Sequence, residues 1–184
     1  MPSECPPADG SAPKTQRFDA PPPMCIDLSK RYTVEMVTSK GTMIFALDAV
    51  SAPRTVNNFV FLARYHYFDG IAFHRIIPGF VLQGGDPEGT GAGGPGYRFE
   101  DELPKPGRYE LGSLAMANAG KDTNGSQFFV ISGPDGMRLP PLYSLFGQLV
   151  SGRDIVAAID SIGTRSGAPK EKVLIESVTI AELD

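Results

Sequence analysis

The chain has 184 residues, of which 41% are hydrophobic, so it is long enough for one well-buried core but short for two ordinary domains. A formal net charge of -4 argues against a nucleic-acid surface, which needs clustered Lys and Arg to displace counterions from phosphates. Apolar runs are interrupted well before the roughly 20 residues needed to cross a bilayer, so we expect a soluble protein with no membrane-spanning segment.

The first 30 residues predict a Pro-rich arm or linker, because seven prolines fix φ and remove backbone donors. Residues 31–184 are then the single globular domain. No secretory signal is visible at this N-terminus, so we expect a cytoplasmic protein if Met1 is the native start. Cys5 and Cys25 leave an alternative open: in the cytosol they would be free thiols, whereas a Cys5–Cys25 disulfide would suit an extracytoplasmic protein.

A hairpin and a helix are predicted next. Residues 32–37 and 42–47 are rich in β-branched and aromatic residues, and the short turn at 39–41 between them predicts the hairpin. A helix opens at Ser51 and Pro53, with an apolar stripe facing the sheet and polar residues off that stripe. The stripe comprises Val56, Phe59, Val60 and Ala63, and the residues off it are Asn57, Asn58 and Arg64.

Six further strands and one further helix complete the pattern. Short β-rich runs predict strands at residues 72–76, 81–83, 114–117, 128–131, 145–149 and 174–181. Residues 154–160 predict a short helix with Ile155, Val156 and Ile159 inward. Many short strands with Gly- and Pro-rich connections indicate an antiparallel sheet that hides its edges by closing into a barrel.

Two long segments combine buried-type hydrophobic residues with polar residues that have no evident structural task. The first runs from Phe73 to Asp86, and the second comprises Met116 to Gly120 and Thr123 to Phe129. Together with Phe99 to Glu102 and Leu145 to Gly147, in this order, they closely resemble the hallmarks of the cyclophilin family. The resemblance covers about residues 32–183. It implies a mostly β fold, a closed eight-stranded antiparallel β-barrel capped by two α-helices.

The resemblance further implies peptidyl-prolyl cis-trans isomerase activity that assists folding, with no cofactor and no metal. Isomerisation breaks no bond, and at the twisted transition state the prolyl nitrogen regains its lone pair. A fixed guanidinium aimed at that nitrogen would bind the transition state better than either planar isomer. The implied catalytic positions are Arg75, Phe80, Gln83, Asn118 and Phe129, and the substrate-binding positions are Val81, Ala117, Ala119, Gln127, Leu139 and Tyr143.

Two features near the motifs invite other interpretations. His74 adjoins Arg75, but isomerisation needs no general base, so a structural histidine is the prediction. Gly91, Gly93 and Gly96 spell a dinucleotide-binding pattern, but it contains a proline and no helix follows, so we expect a flexible loop beside the groove. For the whole protein, the alternative to an isomerase is a proline-peptide binding or chaperone module whose turnover is incidental.

The chain departs from many eukaryotic cyclophilins beside the pocket for the proline ring. It has no Trp, and Arg138 lies near the usual Trp position. Tyr143 stands at the usual His position, and Val81 replaces the usual Met. The missing indole donor predicts weakened cyclosporin binding. We expect a monomer whose partners are proline-containing polypeptides, with no nucleic acid among them.

Overall fold

The computed structural model describes residues 4–184, which form eight strands and three helices. All predicted strands are present, and the largest displacement of a strand start is at the third strand, which begins at residue 75 instead of 72. The elements in chain order are β1 (Arg31–Thr38), β2 (Gly41–Leu47), α1 (Pro53–Arg64), β3 (Arg75–Ile77), β4 (Val81–Gly84), β5 (Ser113–Met116), β6 (Phe128–Ile131), α2 (Pro134–Met137), β7 (Leu145–Ser151), α3 (Arg153–Asp160) and β8 (Ile175–Leu183).

The strands form one antiparallel sheet in the order β3-β4-β6-β5-β7-β2-β1-β8. The two end strands, β3 and β8, do not pair with each other. They are joined just before their starts by an isolated bridge between Ala72 and Leu174 and by the Phe73 N–H, which donates to the Val173 carbonyl at 2.9 Å. Strand number and direction are therefore as predicted, but full closure is an overstatement because β3 has only three residues.

The predicted β1–β2 hairpin is confirmed, and it supplies one wall of the core. Val34 pairs with Phe45 and Met36 with Met43 across the hairpin, and all four side chains are fully buried. Successive residues on a strand point to opposite faces, so the alternation that predicts the strands also decides which side chains enter the core.

Helix α1 begins at Pro53 as predicted, but its outer face is not open to solvent. The three residues predicted off the apolar stripe are all buried: Asn57 at 3%, Asn58 at 2% and Arg64 at 7% exposure. These three polar residues lie off the apolar stripe as predicted, and different elements bury them: the N-terminal arm covers Asn57, Asn58 bonds to Gly125 and Tyr97, and Arg64 pairs with Glu182. The Asn57 carboxamide accepts the N–H groups of Cys25 and Ile26 at 2.7 and 3.2 Å.

The described part of the arm, residues 4–30, contains no helix or strand. A disulfide joins Cys5 to Cys25, and Phe18 and Ile26 are buried in the same core as the barrel strands. Residues 1–3 of the predicted arm lie outside the described residues. The division of the chain at residue 30 stays a prediction.

Helix α3 confirms the second predicted helix, with Val156 and Ile159 buried and Ile155 partly buried. Helix α2 is a single turn that the sequence pattern did not indicate. No helix within residues 4–184 is long and apolar enough to span a bilayer.

Candidate active site

Three neighbouring strands carry the centre of the site on one face of the sheet. Arg75 on β3 pairs with Gln83 on β4, which in turn pairs with Phe129 on β6. The next residue on each of β3 and β6, Ile76 and Val130, is fully buried in the core. Because strand side chains alternate between faces, the row from Arg75 to Phe129 lies on the opposite, outer face.

A line of hydrogen bonds holds the polar part of this row. The Arg75 guanidinium donates to Gln83 Oε1 at 3.2 Å, and Gln83 Nε2 donates to Gln127 Oε1 at 3.1 Å. Gln127 Nε2 donates in turn to the carbonyl oxygens of Gly91 and Gly93, at 2.9 and 3.0 Å. The guanidinium is therefore anchored to the loop at residues 91–96, although Arg75 itself is exposed.

Beside the guanidinium lies an apolar notch. It is a cavity of about 150 Å³, and its aromatic wall is a T-shaped pair of Phe129 and Tyr143 with ring centroids 5.4 Å apart. Phe129 belongs to a small hydrophobic cluster separate from the main core. The cavity is lined by Arg75, Phe80, Val81, Gln83, Ala117, Asn118, Phe129, Leu139 and Tyr143.

A second, larger cavity of about 450 Å³ adjoins the first and shares Gln83, Ala117 and Asn118 with it. The two remaining predicted positions, Ala119 and Gln127, line this second cavity. All eleven predicted site residues therefore lie around two adjoining cavities. The glycine-rich loop at 91–96 forms the far wall of the second cavity, beside the groove as predicted.

Asn118 lies at the junction of the two cavities, and its carboxamide is partly engaged within the protein. Its Nδ2 donates to the Leu142 carbonyl at 2.9 Å, and its Oδ1 accepts the Gly120 N–H at 3.1 Å. A carboxamide nitrogen carries two N–H groups, so one donor is left after the bond to Leu142.

His74 lies outside both cavities. Its Nδ1 is buried without a hydrogen-bond partner. Burial lowers the pKa of His74; the Asp86 carboxylate opposes this effect, while the Arg75 charge adds to it. The imidazole is therefore held in the neutral form. Among residues 4–184, no group of three His, Cys, Asp or Glu side chains is arranged to hold a metal ion.

Two residues that support the site were missed by the sequence analysis. The Asp86 carboxylate is 1% exposed and accepts the N–H groups of Glu88, Thr90 and Gly91 at 2.6 to 3.0 Å. Burial tends to raise the pKa of Asp86, but backbone N–H groups of the loop outweigh it and hold that pKa below its usual range. Asp86 thus fixes the loop whose carbonyls receive Gln127.

Tyr109 is the other missed residue. Its hydroxyl donates to the Tyr143 carbonyl at 2.6 Å and accepts the Tyr143 N–H at 3.2 Å. Burial raises the pKa of Tyr109 to about 12, so the phenol stays a hydrogen-bond donor at neutral pH. Tyr109 therefore fixes the backbone of a residue that lines the notch. It lies between predicted elements, in a loop without hydrophobic periodicity.

The fold and site define a β-barrel protein whose outer groove sets one arginine beside an apolar notch. The model of the family described as "Cyclophilin type peptidyl-prolyl cis-trans isomerase/CLD" matches residues 33–180. Peptidyl-prolyl cis-trans isomerase A of Mycobacterium tuberculosis is 40% identical over 168 residues, covering 81% of this chain and 92% of that protein. Peptidyl-prolyl cis-trans isomerase-like 1 of Gibberella zeae is 43% identical over 155 residues, covering 81% and 94%.

A solved structure supports the same family assignment. A crystal structure of a Cryptosporidium parvum cyclophilin type peptidyl-prolyl cis-trans isomerase, determined in the presence of the dipeptide Ala-Pro, has a TM-score of 0.75 and 33% identity. It covers 81% of this chain and 98% of its own. The chain belongs to the cyclophilin-type peptidyl-prolyl cis-trans isomerase family, and it is an isomerase enzyme, as the motifs predict.

Proposed function

We propose that this enzyme accelerates rotation of X-Pro peptide bonds in polypeptides by aiming the Arg75 guanidinium at the prolyl nitrogen. The observation that carries this proposal is the common cavity, in which Arg75 and its partner Gln83 face Phe80 and Phe129. A proline ring in the notch would place its amide bond beside the charged group. The Ala-Pro dipeptide present with the related Cryptosporidium structure supports this class of substrate.

The size of the barrier supports an electrostatic mechanism. Uncatalysed X-Pro rotation takes tens to hundreds of seconds. Reaching on the order of a thousand turnovers per second requires about 7 to 8 kcal/mol of barrier reduction. Burying a proline ring supplies only about 2 kcal/mol, and it binds both planar isomers as well as the transition state. A fixed donor to the pyramidal nitrogen is specific to the twisted state, so it acts on the rate.

The apolar residues clamp one side of the rotating bond. Phe80, Phe129 and Leu139 would contact the ring, with Val81 at the edge of the notch and Tyr143 against Phe129. The free donor of Asn118 would hold the substrate backbone on the other side. With the ring clamped and the backbone held, rotation is confined to the X-Pro bond.

The test compares Arg75→Ala with wild type in magnetisation-exchange measurements on an Ala-Pro peptide. We expect the exchange rate in the bound peptide to fall about 100- to 1000-fold, as for loss of one transition-state donor. Arg108→Ala is the control, because Arg108 is an exposed arginine outside both cavities.

Binding of the peptide is measured on the same samples. If wild type binds the peptide but leaves exchange at the uncatalysed rate, the protein is a proline-peptide binding or chaperone module. If Arg75→Ala turns over like wild type, the assigned role of the guanidinium is wrong.

We propose that the protein is a monomer that binds cyclosporin weakly. Arg138 does not line the notch: its side chain is 78% exposed and pairs with Asp135, so no group there replaces the indole donor. Titration of cyclosporin into the enzyme, followed by residual turnover, tests the cyclosporin affinity, and sedimentation tests the oligomeric state. Nanomolar inhibition or a stable dimer would contradict this proposal.

We propose an extracytoplasmic location, because the Cys5–Cys25 bridge belongs to an oxidising compartment. Alkylation of the thiols in intact cells of the native host, followed by mass spectrometry, tests this location. Alkylated Cys5 and Cys25 would instead favour the cytoplasm.

A further inference from the structure

A buried aromatic residue of the N-terminal arm, Phe18, contacts a wall of the site. Phe18 is 2% exposed, and its ring packs at centroid distances of 4.9 Å on Phe61, 5.3 Å on Tyr65 and 6.4 Å on Tyr97. The first two belong to α1 and its C-terminal end, whereas Tyr97 lines the second cavity. Phe18 therefore lies between the helix and a wall of the substrate groove.

The backbone of Phe18 also packs on the turn that precedes Tyr97. Its N–H donates to the Pro95 carbonyl at 2.8 Å. Gly96 has a φ of +101°, and a Cβ at that position would overlap the Phe18 carbonyl oxygen. The arm thus occupies the space that a side chain at residue 96 would need. The turn at 95–97 and the arm therefore pack closely against each other.

Further contacts link the turn at 95–97 to the row of Arg75, Gln83 and Phe129. The Tyr97 hydroxyl donates to Asn58 Oδ1, and Asn58 Nδ2 donates to the Gly125 carbonyl at 2.9 Å. Pro95 packs directly on Gly125, where an added Cβ would lie 3.1 Å from the Pro95 ring. Gly125 lies two residues before Gln127, so the same turn supports the strand end that carries this side chain.

The loop that ends in this turn also receives Gln127. The carbonyls of Gly91 and Gly93 accept both N–H groups of its carboxamide, and Gln127 in turn holds Gln83 and, through it, Arg75. Two routes therefore connect the turn at 95–97 with the guanidinium, one through the loop carbonyls and one through Gly125.

We propose that Phe18 is a positioning residue of the isomerase site. By packing on the turn at 95–97 it fixes this turn, and through the turn it fixes the hydrogen-bonded side chains of Gln127, Gln83 and Arg75. The proposal rests on the function assigned to Arg75 above. The arm lies outside the residues matched by the family model, 33–180, so this support is an addition to the family domain. The Cys5–Cys25 bridge closes the segment that contains Phe18 and retains it on α1.

The test uses the full chain with its disulfide intact and compares Phe18→Ala with Ile26→Ala. Both variants truncate a buried arm residue, but Ile26 lies on the Asn57 side of α1, where its N–H donates to Asn57 Oδ1. We expect Phe18→Ala to lower kcat on an Ala-Pro tetrapeptide about tenfold with little change in KM, because a small displacement of a catalytic group acts on the transition state. Ile26→Ala stays within about twofold, and Phe18→Leu recovers most of the rate.

A spectroscopic measurement separates positioning from general loss of stability. The side-chain signals of Gln127 Nε2 and Arg75 Nε shift in folded Phe18→Ala and stay in place in Ile26→Ala. Gly96→Ala displaces the same turn, since its Cβ would push against the Phe18 carbonyl and a φ of +101° would strain its backbone. If Phe18→Ala does not fold, Gly96→Ala shows whether displacement of this turn reaches Gln127 and lowers kcat, and we expect both a shifted Gln127 Nε2 signal and the same loss of kcat.

Two outcomes overturn the inference and are distinct from failure of the proposed function. If Arg75→Ala abolishes turnover but Phe18→Ala and Gly96→Ala turn over like Ile26→Ala, only the positioning role is wrong. If Phe18→Ala and Ile26→Ala both lose activity and to the same extent, the arm acts through stability alone. If Arg75→Ala itself leaves turnover unchanged, the proposed function fails first.

Discussion

His74 and Arg75 are neighbours in the chain with different tasks. The guanidinium faces the cavity, whereas His74 Nε2 lies 3.8 Å from the point where a Cβ on Gly91 would stand, under the loop at 86–93. Guanidinium groups stay protonated throughout the neutral range. Turnover per folded molecule should therefore be nearly constant between pH 6 and 8, about the range in which a free histidine titrates.

Stability, in contrast, should depend on His74. Its pKa is lowered in the folded protein, chiefly by burial, while in the unfolded chain it is about 6.5. Between the folded and unfolded pKa values, the unfolded chain binds more protons, so stability falls as the pH drops below about 6.5. We expect urea midpoints to decrease from pH 7.5 to 5.5, and to decrease less in His74→Gln.

Comparing wild type with His74→Gln isolates the effect of His74, because His66 is present in both proteins. Equal slopes for wild type and His74→Gln would contradict the assignment of this stability loss to His74. A sigmoid in turnover near pH 6.5 that disappears in His74→Gln would instead place the imidazole in the reaction.

The sequence predicts the site residues that lie on strands better than those that act through loops. Arg75, Gln83 and Phe129 belong to strands whose alternation is visible in the sequence, so motif and period together place them on one outer face. Tyr109 and Asp86 act through loops, where no period indicates which backbone groups a side chain will meet. Their roles depend on residues up to 34 positions away, as in the bond from Tyr109 to Tyr143.

At the scale of an element, helix α1 is likewise predicted only in part from the sequence. The stripe of apolar residues predicts the face toward the sheet, and that face is indeed buried. The burial of Asn57 on the outer face depends on the arm, whose prolines exclude regular structure but do not exclude packing. Asn57 is polar because it must satisfy the arm backbone: its Nδ2 donates to the Pro23 carbonyl at 2.8 Å.

The N-terminus of α1 is capped from outside the helix. Ala52 at the N-cap offers no side-chain acceptor. The Glu102 carboxylate instead accepts the Thr55 N–H and hydroxyl at 2.7 and 2.8 Å and the Arg54 N–H at 3.2 Å. Because free N–H groups and the helix dipole favour an anion there, we expect Glu102→Ala to lower the free energy of unfolding by about 1 to 2 kcal/mol.

Urea denaturation measures that loss, with Glu110→Ala as the matched control because Glu110 is an exposed glutamate that takes no part in the cap of α1, which Glu102 forms. A change for Glu102→Ala no larger than for Glu110→Ala would show that water caps the helix equally well.

At the scale of the whole molecule, the arm and the barrel share one core. Phe18 and Ile26 pack in the same hydrophobic cluster as the strands and α1, so the arm is expected to unfold together with the rest. This joint packing is not visible in the composition of the arm, which by its prolines resembles a free linker. It arises because a disulfide limits the conformations open to the arm, so that a few buried apolar residues are enough to hold this proline-rich segment on the barrel.

The Cys5–Cys25 bridge has a sequence separation of 20 residues, and closing such a loop in the unfolded chain contributes about 3 kcal/mol of stability. We therefore expect the Cys5→Ser, Cys25→Ser double variant to lose about 3 kcal/mol in urea and about 6 to 12 °C in Tm. A loss that small relative to a typical folding free energy leaves the barrel folded, so turnover can be measured on the same sample. An arm that frayed independently of the barrel would give almost no change in Tm, because the crosslink would then constrain a segment that takes no part in cooperative unfolding.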